Sequence, residues 1–133
     1  MRAWAGRILH VDLGLKESWT TPTSDYTDMW LGGKAIDVAL LTEAGAWSVD
    51  PYGPDNPLIM GTGPLTGTLA PAASRLHVAA VSPATGLLGA SNIGGHFPPE
   101  LKYAGYDHLV IQGISDEPGS FTHLTLPTKR EGE

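Results

Sequence analysis

The sequence contains no cysteine, few basic residues and no long apolar run, and each absence excludes a class of function. Without cysteine the chain can form no disulfide, no zinc–thiolate site and no cysteine-ligated iron–sulfur cluster of its own. Its 8 lysines and arginines against 14 acids give a net charge of −6, which argues against a nucleic-acid partner. No stretch approaches the roughly 18 apolar residues of a membrane span. We therefore expect a cytoplasmic protein that contacts no membrane.

Glycine and proline are abundant instead, at 17 and 11 of 133 residues, and they are not periodic. Such a composition is typical of short strands joined by shaped loops. Residues 34–45 place Ile36, Ala39, Leu40 and Glu43 at helical spacing, and Gly45 can end that helix. The whole pattern predicts an α+β fold in which strands dominate. It comprises strands at 7–13, 15–24, 58–63, 75–82, 87–92 and 108–113, helices at 34–45 and 99–105, and a helical turn at 26–31.

Familiar cofactor and metal motifs fail on spacing. The glycines of 61-GTGPLTG-67 do not form a dinucleotide fingerprint, because the third comes one residue late and Pro64 stands where a helix should begin. The 32-GGK-34 stretch lacks the spacing of a phosphate loop. None of the five histidines is four residues from another on a helix, so we predict no metal ligand in this chain. Only His96, beside a glycine pair, is kept as a candidate functional histidine.

Three segments combine small residues with hydroxyl, amide or guanidinium side chains, which suit a large, flat, anionic cofactor. They are 63-GPLTGTLAP-71, 74-SR-75 and 91-SNIGG-95. Arg75 brings a permanently charged planar fork, and Asn92 brings both a donor and an acceptor. Gly94 and Gly95 leave backbone amides open to a ligand, with Ser91 nearby. The alternative is that the segments are three tight turns, with Arg75 on a solvated strand end. The residue pattern alone leaves both interpretations open.

A resemblance to a known family adds to this reading. The order and spacing of eight pieces, over about residues 4–118, resemble the N-terminal domain of the tungsten- or molybdenum-pterin aldehyde ferredoxin oxidoreductase family. The pieces are 6-GRILHVDL-13, 31-LGGKA-35, 50-DPYGPDNPLI-59, 63-GPLTGTLAP-71, Arg75, 82-SPATG-86, 91-SNIGG-95 and 100-ELKYAGYDHLVIQG-113. The resemblance implies a β-rich base on which a bis-pterin cofactor lies.

The resemblance also implies an activity, cofactors and partners. Members of the family oxidise an aldehyde to a carboxylate and pass electrons through a 4Fe-4S cluster to ferredoxin. Tungsten or molybdenum is held by two pterins (molybdopterin), and the cluster ligands lie in later domains, outside this chain. Relatives that reduce aromatic acyl-coenzyme A thioesters share this domain and the phrase ELKYAGYD. A small aldehyde is thus the expected substrate, ferredoxin the expected electron acceptor, and a homo-oligomer is possible at full length.

The site residues follow from the same resemblance. Arg75 matches the family arginine that packs between pterin and cluster, and Asn92 and Gly94 match the turn that contacts the pterin. Ser91 and Gly95 flank them as expected cofactor-binding residues, and no catalytic residue is expected in this chain. The resemblance implies that the glycines are bare so that a pterin can lie against the backbone.

The chain also departs from the family pattern. Ile93 stands where a small or polar residue is common, and Pro98 replaces an expected glycine. Residues 119–133 do not resemble the family, so we expect a partial cofactor-binding domain at 1–118 and a tail of different origin. Such a chain would be truncated and inactive alone. A non-catalytic fragment, or a fragment of an aromatic acyl-coenzyme A reductase, is the alternative.

Overall fold

The computed structural model describes residues 3–117. Six strands, three helices and a 3₁₀ turn follow one another along this part of the chain, and the predicted α+β class is confirmed. The strands are β1 Arg7–Asp12, β2 Glu17–Pro22, β3 Leu58–Thr62, β4 Leu76–Val81, β5 Leu88–Ile93 and β6 His108–Gln112. The helices are α1 Ser24–Thr27, α2 Lys34–Glu43 and α3 Phe97–Tyr103, and the 3₁₀ turn is Ala46–Ser48. No helix among the described residues is long and apolar enough to cross a membrane.

All six strands pair in one sheet of order β2–β1–β6–β3–β4–β5. The β1–β6 pair is parallel, and every other neighbouring pair is antiparallel. The last strand among the described residues, β6, lies between the β1–β2 hairpin and the β3–β4–β5 meander, so segments far apart in the chain become neighbours in the sheet. This placement brings His108, at the start of β6, beside the end of β3.

Helix α2 covers one face of the sheet and forms the core with it. The helix buries Ile36, Leu40 and Leu41, and also the carboxylate of Asp37. The sequence predicted a face made of Ile36, Ala39, Leu40 and Glu43. The observed buried face keeps Ile36 and Leu40 but is rotated, so that Glu43 is exposed. Apolar burial still accounts for the helix, since its buried side chains belong to one apolar cluster with residues from four different strands. The sheet and turn residues in this core are Ile8, Ala46, Ile59, Ala79, Val81 and Val110.

A buried carboxylate ties the start of the described chain to the loop before β6. Asp107 is fully buried and accepts hydrogen bonds from the amides of Ala5 and Gly6 and from the hydroxyl of Thr23. Lys102 of α3 forms an ion pair with it at 3.0 Å. Burial raises the pKa of Asp107, but the hydrogen bonds donated to it outweigh burial and hold its pKa below the ordinary value of 3.8.

The element boundaries differ from the prediction where helices begin. Helix α1 covers Ser24–Thr27 rather than 26–31, and its N-cap, Thr23, makes no capping bond because its hydroxyl bonds Asp107. Helix α3 begins at Phe97, two residues earlier than predicted, since proline is tolerated in a first helical turn. Gly45 takes the left-handed conformation after α2, as its place in the sequence predicted.

Candidate functional site

A cavity of about 320 Å³ opens at one end of the sheet, where β3 ends and β4 begins. The volume falls in the range of small-molecule sites. The N-terminus of α2 forms one wall, and the end of β5 forms another. The lining residues are Gly33, Lys34, Gly61, Gly63, Arg75, Leu76, His77 and Asn92.

A larger cavity, of about 540 Å³, lies at the opposite end of the strands. Its polar side chains are Asp12, Asp55 and Gln112, and no basic residue lines it. None of the predicted site residues lies there. We therefore place the candidate site in the smaller cavity, which is lined by two of the predicted site residues, Arg75 and Asn92.

Helix α2 points its positive end at the cavity. The amide of Gly33 donates to the carbonyl of Thr62 at 3.0 Å, which fixes the start of the helix against the end of β3. Gly33 has φ 53° and ψ −125°, a conformation available to glycine, and no side chain caps the helix. The first amides of a helix lack intrahelical partners and favour anions. The exposed Lys34 adds a positive charge beside them.

The loop between β3 and β4 is closed by one buried hydroxyl. Thr66 Oγ1 accepts a hydrogen bond from the amide of Gly63 at 3.1 Å and donates to the carbonyl of Arg75 at 2.9 Å. Farther out, the amide of Gly67 donates to the carbonyl of Ala73 at 3.0 Å. The loop that the sequence marked at 63–71 thus sets the backbone position of Arg75 at the cavity rim.

Arg75 and Asn92 are the two predicted site residues that line the cavity. Both side chains are exposed, and within residues 3–117 the Arg75 guanidinium makes neither an ion pair nor a hydrogen bond. A permanently charged fork with free donors is suited to a phosphate or carboxylate. Asn92 lies near the end of β5, opposite His77 in the register.

The other predicted site residues surround these two without lining the cavity. Gly94 is next to the Arg75 side chain: a Cβ built there would lie 3.7 Å from Arg75 Nε, an ordinary contact. Gly95 has φ 86° and open space around it, so its conformation by itself accounts for the glycine. Ser91 precedes Asn92 on β5 and therefore points to the opposite face of the sheet. The strand extends to Ile93, so the predicted turn contains only the glycines.

Sequence reasoning missed a polar cluster beneath the cavity. Asp37, His77 and His108 are buried, and Asp37 hydrogen bonds to Nδ1 of both histidines, at 2.8 and 2.9 Å. The sequence analysis did not keep these two histidines as candidates, whereas the one it kept, His96, is exposed before α3. Asp37, a carboxylate within the apolar stretch of α2, was the sequence signal for this cluster, because a buried charge requires polar partners.

A glycine makes room for this cluster. Gly61 pairs with His77 on one side and with His108 on the other, so the three residues form a row across the sheet. A Cβ at Gly61 would lie under 3.0 Å from Asp37 Oδ1 and from the His108 ring. The 61-GTG-63 glycines therefore serve packing and the cavity wall, and not a dinucleotide turn.

The comparisons with known proteins agree with this architecture. The family model for the aldehyde ferredoxin oxidoreductase N-terminal domain matches residues 8–124. The chain belongs to this family. The tungsten-containing aldehyde ferredoxin oxidoreductase of Pyrococcus horikoshii is 39% identical over 121 residues, which cover 89% of this chain and 20% of that protein. The corresponding Pyrococcus furiosus protein is 45% identical over 114 residues, covering 85% and 19%.

A solved structure shows the same fold. The active-site complex BamBC of benzoyl coenzyme A reductase, with bound 1,5-dienoyl-CoA, superposes with a TM-score of 0.83 and 38% sequence identity. The match covers 87% of this chain and 18% of that one. The chain therefore spans about one fifth of the length of the relatives it matches.

Proposed function

We propose that this chain is the cofactor-binding N-terminal part of a tungsten- or molybdenum-pterin oxidoreductase that oxidises aldehydes to carboxylates. The observation that carries the proposal is the convergence of Arg75, Asn92 and the α2 N-terminus on one cavity. In the proposed enzyme, electrons pass through a 4Fe-4S cluster, whose ligands this chain lacks, to ferredoxin. The family membership and the tungsten-containing relatives support this reading.

The residues present fit a pterin that bears a phosphate. The cavity offers a free guanidinium, a lysine and helix amides for the anionic group. Asn92 offers a donor and an acceptor for the edge of the heterocycle. The cavity walls at Gly33 and Gly63 carry no side chains and have room beside them, so a flat group can approach the backbone there.

When bound, the metal–pterin cofactor would supply the redox chemistry, while the protein supplies binding, orientation and electrostatics. In this chain, Arg75 would neutralise the cofactor's negative charge, and Asn92 would fix the ring orientation. Gly94 and Gly95 would form the outer edge of the site, as the family resemblance implies, whereas Ser91 lies on the opposite face of β5 and would take no part in it. In this proposal the aldehyde would bind to parts of the enzyme outside this chain.

Binding of a fluorescent pterin tests the site. With 6-hydroxymethylpterin diphosphate as probe, we expect saturable binding by the 133-residue chain and about tenfold weaker binding by Arg75→Gln, since a charge-assisted hydrogen bond contributes about 1.5–3 kcal/mol. The matched control is Lys16→Gln, which removes the same charge from an exposed position outside the cavity. Equal losses in both variants would indicate nonspecific attraction and contradict the proposed site.

The activity is tested on the protein purified from the organism that encodes this chain. We expect bound tungsten or molybdenum in elemental analysis and aldehyde-dependent reduction of ferredoxin. The similarity to the benzoyl coenzyme A reductase complex favours a second candidate, reduction of an aromatic acyl-coenzyme A thioester. Reduction of benzoyl-CoA by a low-potential donor, without aldehyde oxidation, would select that candidate. A metal-free, inactive product would refute both and leave a non-catalytic fragment.

A further inference from the structure

Two buried histidines share one carboxylate beside the proposed site. Asp37 Oδ2 lies 2.8 Å from His77 Nδ1, and Asp37 Oδ1 lies 2.9 Å from His108 Nδ1. An ionised carboxylate only accepts hydrogen bonds, so both Nδ1 atoms must carry a proton. The carboxylate lies in the first turn of α2, where the helix dipole stabilises negative charge. Asp37 thereby holds both imidazoles in the Nδ1–H tautomer.

The second nitrogen of each ring is buried without a partner. Among the described residues, neither His77 Nε2 nor His108 Nε2 has a hydrogen-bond partner. Such atoms are rare, because an unpaired buried polar atom costs about 1–3 kcal/mol. A protonated Nε2 would leave an unpaired donor, which is rarer than an unpaired acceptor. Two neutral rings with unprotonated Nε2 atoms therefore fit the surroundings.

The two rings differ in their access to the cavity. His108 is 0% exposed and is absent from the cavity wall. His77 keeps 7% of its surface exposed and is one of the residues that line the cavity. It also pairs with Asn92 across β4 and β5, which places both side chains on the same face. His77 therefore presents an edge to the cavity beside Asn92, with its Nε2 enclosed in the free chain, whereas His108 presents none.

We propose that His77 is a specificity residue of the cavity. Its Nε2 accepts a hydrogen bond from a ring N–H or amino group of the bound heterocycle, next to the donor and acceptor of Asn92. Asp37 positions the ring and fixes its tautomer, and His108 occupies the other carboxylate oxygen. Because Nε2 is enclosed in the free chain, this contact requires a side-chain movement at the cavity wall. This inference rests on the proposed pterin site and names how the heterocycle, rather than its phosphate, is selected.

Histidine nitrogen NMR on the uniformly ¹⁵N-labelled chain tests the tautomer without any variant. In the free chain, His77 and His108 should each show a protonated Nδ1 and an unprotonated Nε2. Saturating 6-hydroxymethylpterin should shift the His77 Nε2 resonance towards the hydrogen-bonded range and leave that of His108 in place. Inorganic pyrophosphate should not shift the His77 Nε2 resonance. A protonated His77 Nε2 in the free chain, or a resonance that pterin does not move, would overturn the proposal.

Binding by two variants separates recognition from folding. His77→Gln should weaken 6-hydroxymethylpterin binding about tenfold, the effect of one hydrogen bond, and leave pyrophosphate binding within about twofold. His108→Gln removes the other bond to Asp37 without touching the cavity, so its pterin affinity should stay within about twofold of the wild type. Unchanged pterin binding by His77→Gln would refute the inference. The proposed function fails separately, if wild-type chain binds neither pterin nor pyrophosphate.

Discussion

Replacing Gly61 with alanine places a methyl group in the most crowded point of the structure. The added Cβ would lie under 3.0 Å from Asp37 Oδ1 and from the His108 ring, closer than real Cβ contacts come. Neither neighbour can withdraw easily, because Asp37 is fixed on α2 and His108 is fully enclosed. The carboxylate, the ring or the strand must therefore shift.

Two effects lower the free energy of unfolding of the Gly61→Ala variant. Overpacking a well-packed core costs about 1–3 kcal/mol. Displacing the carboxylate also weakens a hydrogen bond to a charged group, worth about 1.5–3 kcal/mol. Gly61→Ala should therefore lower the free energy of unfolding by about 3–5 kcal/mol, a large share of the about 5–15 kcal/mol typical of a domain.

Urea unfolding followed by tryptophan fluorescence measures this change, since the chain has 4 tryptophans. The matched control is Gly63→Ala, two residues along the same segment, where a Cβ would meet only Thr66 Oγ1 at 3.8 Å. We expect the control to stay within about 0.5 kcal/mol of the wild type. If both variants unfold at the same urea concentration, Gly61 is not required by the histidine cluster, and the packing argument is wrong.

Two further predictions concern buried polar anchors. The pKa of Asp107 is lower in the folded chain than its ordinary value of 3.8. Its carboxylate therefore stabilises the fold at pH values above 3.8, and this stabilisation is lost as the pH falls through the folded pKa. Asp107→Asn should therefore cost about 3 kcal/mol at pH 7 in urea unfolding, and this cost should fall progressively as the pH is lowered below 3.8; a cost that does not change with pH would contradict the charge argument. Asn56 makes two hydrogen bonds to the Val81 backbone and one to another carbonyl, so Asn56→Ala should cost about 2–3 kcal/mol. Asn92→Ala, at an exposed position, is its control, and a similar loss there would count against this assignment.

The sequence alone determined the elements of the fold and their class. Strand periodicity and turn residues are local signals, so all six strands were predicted close to their observed positions. Helix starts were less accurate, because Thr23 bonds the distant Asp107 instead of capping α1. The order of strands in the sheet was not predicted from the residues, since the position of β6 between β1 and β3 depends on pairing between segments far apart in the chain.

The candidate site was predicted only in part, because contacts between distant segments are not visible in the sequence. Arg75 and Asn92 stood out by chemical type, and both line the cavity. The role of Asp37, His77 and His108 emerges only when three strands and a helix meet, because a histidine on a strand shows its partner only in the folded chain. Gly61 is an example. The sequence showed it only as part of a glycine motif with the wrong spacing, whereas the tertiary structure shows that a buried carboxylate and an imidazole occupy the space beside it.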